Sequence, residues 1–152
     1  LLGLEARAKE IIAEAQEGVL AIQQRVEDLP KKKVFLQVGS QPLFASVESS
    51  FTHDFIILAG GINIAAGQRD GRYNYEKVTA QDPDVIIVAI MGSEGGKGAE
   101  ERRKWLRFTP VAAVRNSQVF VVDPDIICSP SPMTFVKGLE QIAALIHPPK
   151  GQ

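Results

Sequence analysis

Six consecutive apolar residues, Val85-Ile86-Ile87-Val88-Ala89-Ile90, follow Asp82-Pro83-Asp84 and run toward Gly92. A β-branched run without alternation, bounded by turn residues, predicts a parallel strand covered on both faces. Such a strand needs helices above and below it. Two further runs read as its neighbours: Val34-Phe35-Leu36-Gln37-Val38, closed by Gly39-Ser40, and Val119-Phe120-Val121-Val122. Helical patterns separate them near residues 51–59, 75–81, 100–108 and 131–146, and hairpin signals are absent. The expected fold is α/β, a three-layer sandwich with a mostly parallel central sheet.

A long helix precedes this alternation. Leu4, Ala8, Ile11, Ala15, Val19, Ile22 and Val26 recur at spacings of three and four, with charged residues and Gln between them. The pattern predicts a helix over Leu4–Leu29, roughly 40 Å long at ~1.5 Å per residue. Pro30 and Lys31-Lys32-Lys33 end it. The chain opens LLGLEARAKE, without Met or a basic leader, and reads as a fragment that enters directly into this helix.

Composition excludes several classes of function. A net charge of −1 argues against a nucleic-acid binder, which needs a basic surface to neutralise phosphates. A single cysteine, Cys128, rules out a cysteine-based zinc site, and two histidines, His53 and His147, rule out a histidine-rich one. No apolar run approaches the ~20 residues of a membrane span.

The three strands end at Gly39-Ser40, Gly92-Ser93 and Asp123-Pro124, and each is followed by Gly, Ser or Pro. Ligands of open α/β sheets sit outside such carboxyl ends, so a polar shelf is expected there; ordinary turns are the competing explanation. Gly92 to Gly98 is not a phosphate loop, because Lys97 is followed by Gly98 and Ala99 rather than Ser or Thr. Gly60-Gly61 reads as a helix stop. Neither histidine has a Gly-x-Ser-x-Gly elbow nearby, and both are expected at surface or capping positions. Asp82, Asp84, Asp123 and Asp125 flank prolines, where turn chemistry accounts for them. The residues thus point to no catalytic group and no metal site.

In order, these segments resemble the C-terminal lobe of periplasmic substrate-binding proteins for cobalamin, haem and ferric siderophores. Phe35-Leu-Gln-Val-Gly-Ser-Gln-Pro-Leu-Phe44 resembles that lobe's first strand and cleft loop. Leu58-Ala-Gly-Gly-Ile-Asn-Ile64 resembles a helix end, and Gln81-Asp-Pro-Asp-Val-Ile-Ile-Val88 a strand entry. The tail from Val119 to His147, with Asp123, Pro130, Pro132, Gly138-Leu139-Glu140 and Pro148, resembles the closing pattern. No single piece is specific, but the ordered set spans nearly the whole chain.

The resemblance implies two lobes joined by a long helix with a metal chelate held between them. Residues 1–30 are then the connecting helix and 31–152 the C-terminal lobe, with the N-terminal lobe absent from this chain. It implies a binding component of an ABC importer, outside the cytoplasm or lipid-anchored, with no cofactor of its own and no chemistry to perform. Ligand-binding positions carried over are Phe44, Asp70, Asp125 and Ser129, with Arg69 and Arg72 near enough to supply positive charge. Asp70 stands where cobalamin binders carry a tryptophan, and Ser129 where an arginine is common. Those departures place the chelate's identity in doubt. Glu76 matches the carboxylate that docks into arginine pockets of the membrane permease; its ordinary alternative is an acid favoured at a helix N-terminus. Core packing is the alternative for Phe44.

Two other classes compete. Nitrogenase-like and chelatase-like enzymes share the lobe architecture but carry a ligating Cys or His in the cleft loops, for which only Cys128 qualifies. A receiver-like signalling domain needs acids at the end of its first strand, and Val38-Gly39-Ser40 has none.

Overall fold

The computed structural model describes residues 2–40, 42–50, 52–90, 96–128 and 131–148. Its elements are α1 (Leu2–Val26), β1 (Lys32–Ser40), β2 (Leu43–Ala45), α2 (Thr52–Leu58), β3 (Gly61–Asn63) and α3 (Tyr75–Gln81), then β4 (Val85–Val88), α4 (Lys97–Trp105), α5 (Ala112–Arg115), β5 (Val119–Val121), α6 (Pro124–Cys128) and α7 (Pro132–Ile146).

The sheet runs β2-β1-β4-β5, with β3 joining the other end of β1's outer edge. β1 pairs parallel with β4 and β3, and β4 pairs parallel with β5. Side chains alternate across it as the pleat requires. Val34, Leu36, Val85 and Ile87 enter one core with Ile22 and Val26 of α1, Phe55 and Ile56 of α2, and Leu139, Ile142 and Ile146 of α7. Phe35, Ile86 and Val88 enter the other, with Val78 of α3, Trp105 of α4 and Ala113 of α5. Each fully buried aliphatic contributes about 1.5–3 kcal/mol. The expected three-layer sandwich is present.

The structure corrects several local expectations. Although hairpin signals are absent from the sequence, Leu43–Ala45 form β2, which returns antiparallel along β1. In sequence the residues between the two strands, Gln41-Pro42, are not the Asn-Gly type that marks a hairpin. Gly60 does end a helix, at a positive φ of 79°, but Gly61 opens β3. A Cβ on Gly61 would lie 3.0 Å from Val34 Cγ2, so the small residue lets β3 approach β1. Helix α4 starts at Lys97, ahead of the pattern near 100–108, and Asp125, expected in a turn, lies in the short helix α6.

Helix α1 divides in two. Residues 3–10 are exposed along their whole length, whereas Ile22 and Val26 are buried. A Cβ on Gly18 would meet Val136 Cγ1 at 2.7 Å, so α1 and α7 cross at close range there. The second half of α1 is therefore part of the core of this domain. Among the described residues, no helix is long and apolar enough to cross a membrane.

Candidate functional site

At the carboxyl ends of the parallel strands, Phe44 of β2 pairs with Gly39 near the end of β1 and, by an isolated bridge, with Arg72. The Ala45 N–H donates to Gly71 O at 2.8 Å and the Tyr73 N–H to Leu43 O at 2.9 Å, so residues 71–73 form a further edge beside β2. Leu43 and Ala45 point into the core, and Phe44 alternates away from them. Phe44 is half-buried and belongs to neither core cluster. Two glycines flank it. A Cβ on Gly71 would lie 2.7 Å from Phe44 Cδ1 and 2.9 Å from Ala45 O; one on Gly39 would lie 3.1 Å from Phe44 Cβ. Side chains there would displace the ring.

Asp70 and Arg72 sit at the same corner, both exposed. Asp70 Oδ1 accepts the Arg72 N–H at 3.0 Å, so one carboxylate oxygen shapes the turn that presents the arginine. Among the described residues the one ion pair is Lys104–Glu101, leaving the guanidinium of Arg72 without an acidic partner. Asp125 is exposed in the first turn of α6, its N–H donating to Asp123 Oδ1 at 2.9 Å. Given the strand order, it stands three spacings from the Phe44 corner, about 14 Å at ~4.8 Å per strand. Phe44, Asp70 and Arg72 thus form one group and Asp125 a second, across a wide shelf. Ser129 lies outside the described residues.

Glu76 is exposed in the first turn of α3. Asn74 caps that helix, its side chain accepting the Lys77 N–H at 2.7 Å. Because α3 leads back to the start of β4, its N-terminus and Glu76 lie toward the shelf side of the sheet.

The remaining candidates have structural roles. Cys128 is half-buried, packs against the α1–α2–α7 core and donates its S–H to Ala89 O at 3.7 Å. Burial pushes its thiol up, and Asp125 adds to the effect, so it is held protonated. His147 caps α7 with Nε2 3.3 Å from Gly60 O, and burial lowers its pKa. His53 Nδ1 lies 3.0 Å from Asn63 Nδ2, which also donates to Ser46 O at 2.7 Å. Among the described residues, no group of three His, Cys, Asp or Glu is placed to hold a metal.

Sequence reasoning missed one buried constellation. Glu101 of α4 is 2% exposed; it accepts from Gln37 Nε2 at 3.0 Å, Tyr75 Oη at 2.7 Å and Lys104 Nζ at 2.8 Å. Gln37 Oε1 accepts the Trp105 indole N–H at 2.8 Å. The available signal was Gln37 itself, a polar residue at a core position of an apolar strand, where a buried partner is required.

Comparison with known proteins extends these observations. Residues 1–126 match the family model described as periplasmic binding protein. Over 151 residues the chain is 24% identical to an uncharacterized ABC transporter substrate-binding lipoprotein of Bacillus subtilis, covering 96% of this chain and 46% of that protein. A stretch of 66 residues is 44% identical to the vitamin B12-binding protein of Salmonella paratyphi A, over 42% of this chain and 25% of that one. The crystal structure of a periplasmic binding protein from Veillonella parvula matches with a TM-score of 0.80 at 26% identity, over 97% of this chain and 53% of the other. The chain spans about half the length, or less, of these relatives.

Proposed function

The chain belongs to the periplasmic binding protein family, and from that premise we propose that it is one lobe, the C-terminal one, of the substrate-binding component of an ABC importer. The proposed cargo is a metal chelate: cobalamin, haem or a ferric siderophore. Family members are binding proteins rather than enzymes, and the half-buried, protonated Cys128 gives no support to a metal-handling catalyst.

The observation that carries the reading is Phe44. A core aromatic buries its ring in a cluster; this one lies outside both clusters, between two glycines, at the carboxyl edge where α/β sheets bind ligands. A half-buried ring held by its backbone presents a flat contact face at little entropy cost, which suits a macrocycle or an aromatic chelate. Arg72 beside it supplies a planar, always-charged donor for a propionate or phosphate. Asp125, on the far side of the shelf, suits a ligand wider than an amino acid or a single sugar.

The mechanism needs no bond chemistry. The missing N-terminal lobe supplies the facing wall, closure excludes water, and the permease reads the closed receptor through carboxylates such as Glu76. Charges at such a contact act chiefly on encounter rate and register. The working location is outside the cytoplasm, free or lipid-anchored.

The test is a titration of the complete receptor with cyanocobalamin, haem and a ferric hydroxamate. One of the three is expected to bind at micromolar Kd or tighter, with Phe44→Ala weakening it about tenfold, the loss of roughly 1.4 kcal/mol of ring contact. Failure of all three would remove the metal-chelate cargo and leave the family assignment standing.

A further inference from the structure

Among the described residues, Glu101 is the one charged side chain in the core. An apolar residue of its volume would fill the space at lower cost, since a buried carboxylate must recover its desolvation through hydrogen bonds. Its bonds lead out of the core in two directions. On one side Gln37 Nε2, which donates to Glu101, also donates to Gly39 O at 3.1 Å. Gly39 is the β1 residue paired with Phe44 at the shelf. On the other side Glu101 Oε2 accepts the hydroxyl of Tyr75, the first residue of α3 and the neighbour of Glu76.

Tyr75 anchors the first turn beside Glu76, while Lys77 Nζ, donating to Gln68 Oε1 at 2.6 Å, Gln81 Nε2, donating to Ile64 O at 3.1 Å, and Lys33 Nζ, donating to Gln81 O at 3.0 Å, hold the later part of α3. The helix is seven residues long, and Val78 is its one buried side chain. A helix of two turns does not hold itself in water, so its side-chain anchors set its pose. The Tyr75 ring stacks on Phe108 with centroids 5.5 Å apart and planes 2° apart, and tilts against Trp105 at 4.8 Å. Stacking leaves a ring free to slide in its plane; the hydroxyl bond to a fixed carboxylate removes that freedom. Burial and the adjacent carboxylate both push the Tyr75 hydroxyl up, so it stays a donor.

We propose that Glu101 is a positioning residue that ties the docking turn of α3, through Tyr75, to the β1 end of the ligand shelf, through Gln37 and Gly39. It touches neither ligand nor permease. It holds Glu76 and the Phe44 corner in one rigid frame, so that a receptor closed on its cargo presents its docking carboxylate in fixed register. The inference rests on the docking role proposed for Glu76.

The experiment measures docking of the complete, chelate-loaded receptor to its permease in nanodiscs at fixed salt. The variants are Tyr75→Phe, Glu101→Gln, Glu76→Gln and the Tyr75→Phe/Glu76→Gln double. Tyr75→Phe removes one oxygen and Glu101→Gln keeps the volume, so one can stand in for the other if folding suffers. Each is expected to weaken docking on the order of three- to tenfold, the loss of one charge-assisted hydrogen bond. Chelate affinity stays within about twofold of wild type in Tyr75→Phe, which leaves the bonds of Gln37 to Glu101 and Gly39 in place. In the double variant the Tyr75 effect disappears, because its only route to the permease is through Glu76. Wild-type docking by Tyr75→Phe and Glu101→Gln, or losses that simply multiply in the double variant, overturns the positioning role. Wild-type docking by Glu76→Gln overturns instead the docking assignment beneath it.

Discussion

Burying Glu101 sets two opposing effects on one carboxyl group. Desolvation raises its pKa; the hydrogen bonds from Gln37, Lys104 and Tyr75, with the charge of Lys104, outweigh it, and the net shift is downward. A carboxylate whose folded pKa lies below its unfolded value adds stability above that unfolded value, and loses it as pH falls through the folded one. Glu101→Gln is therefore expected to cost about 1–3 kcal/mol at pH 7. The gap from wild type should narrow below the ordinary value of 4.5. Urea midpoints at neutral and acid pH measure it, and a gap independent of pH would mean that the charge of Glu101 is not what stabilises the fold. In the sequence only Gln37, a polar residue inside an apolar strand, hinted at a buried partner, and nothing pointed to Glu101 as that partner. Gln37 and Glu101 stand 64 positions apart, and Glu101 sits in Glu-Glu-Arg-Arg-Lys, which reads as a solvated face. Phe44 follows from the resemblance and Arg72 from its nearness in sequence to Asp70; their adjacency depends on the bridge between two edges that carry no periodic pattern.

Elements long enough to complete a period were readable. β4, with every residue buried, and α7, with Ser131 and Thr134 forming a reciprocal cap before an amphipathic run, lie where their patterns place them. β2, β3, α5 and α6 have three to five residues each, too few for alternation or a helical face to register, and exist because a neighbour pairs with or covers them. Gly18 shows how an element's local preference yields to its packing. In an isolated helix glycine is about 1 kcal/mol worse than alanine. Here it admits Val136 of α7 into the space a side chain would occupy. Gly18→Leu, favourable by propensity, is expected to destabilise by about 1–3 kcal/mol through overpacking. A thermal midpoint equal to or above wild type would show that α1 and α7 can separate without loss, and that α1 is not seated in the lobe's core.

At the scale of the molecule, α1 changes character along its length. Its second half is anchored by Ile22 and Val26, but residues 3–10 touch no core, Leu4 is 71% exposed and Ile12 48%. Ile12, Val19 and Leu20 also line an open apolar groove of 680 Å³ shared with Leu58, Pro132 and Phe135. Two to three turns of helix without tertiary support are marginal in water, whatever their propensity. As part of one lobe of a two-lobed receptor, this half is ordered by the remainder of the protein rather than by this chain. Hydrogen exchange separates the possibilities. In the 152-residue chain alone, amides of residues 6–12 should exchange with little protection while those near Ile22 and Val26 approach the global limit. In the complete receptor both halves should be protected alike, because a helix held at each end by a lobe opens only when one lobe does. Strong protection of residues 6–12 in the chain alone would mean that the helix needs no second lobe. The 1–30 segment would then be a self-sufficient arm of this domain and not the strut between two.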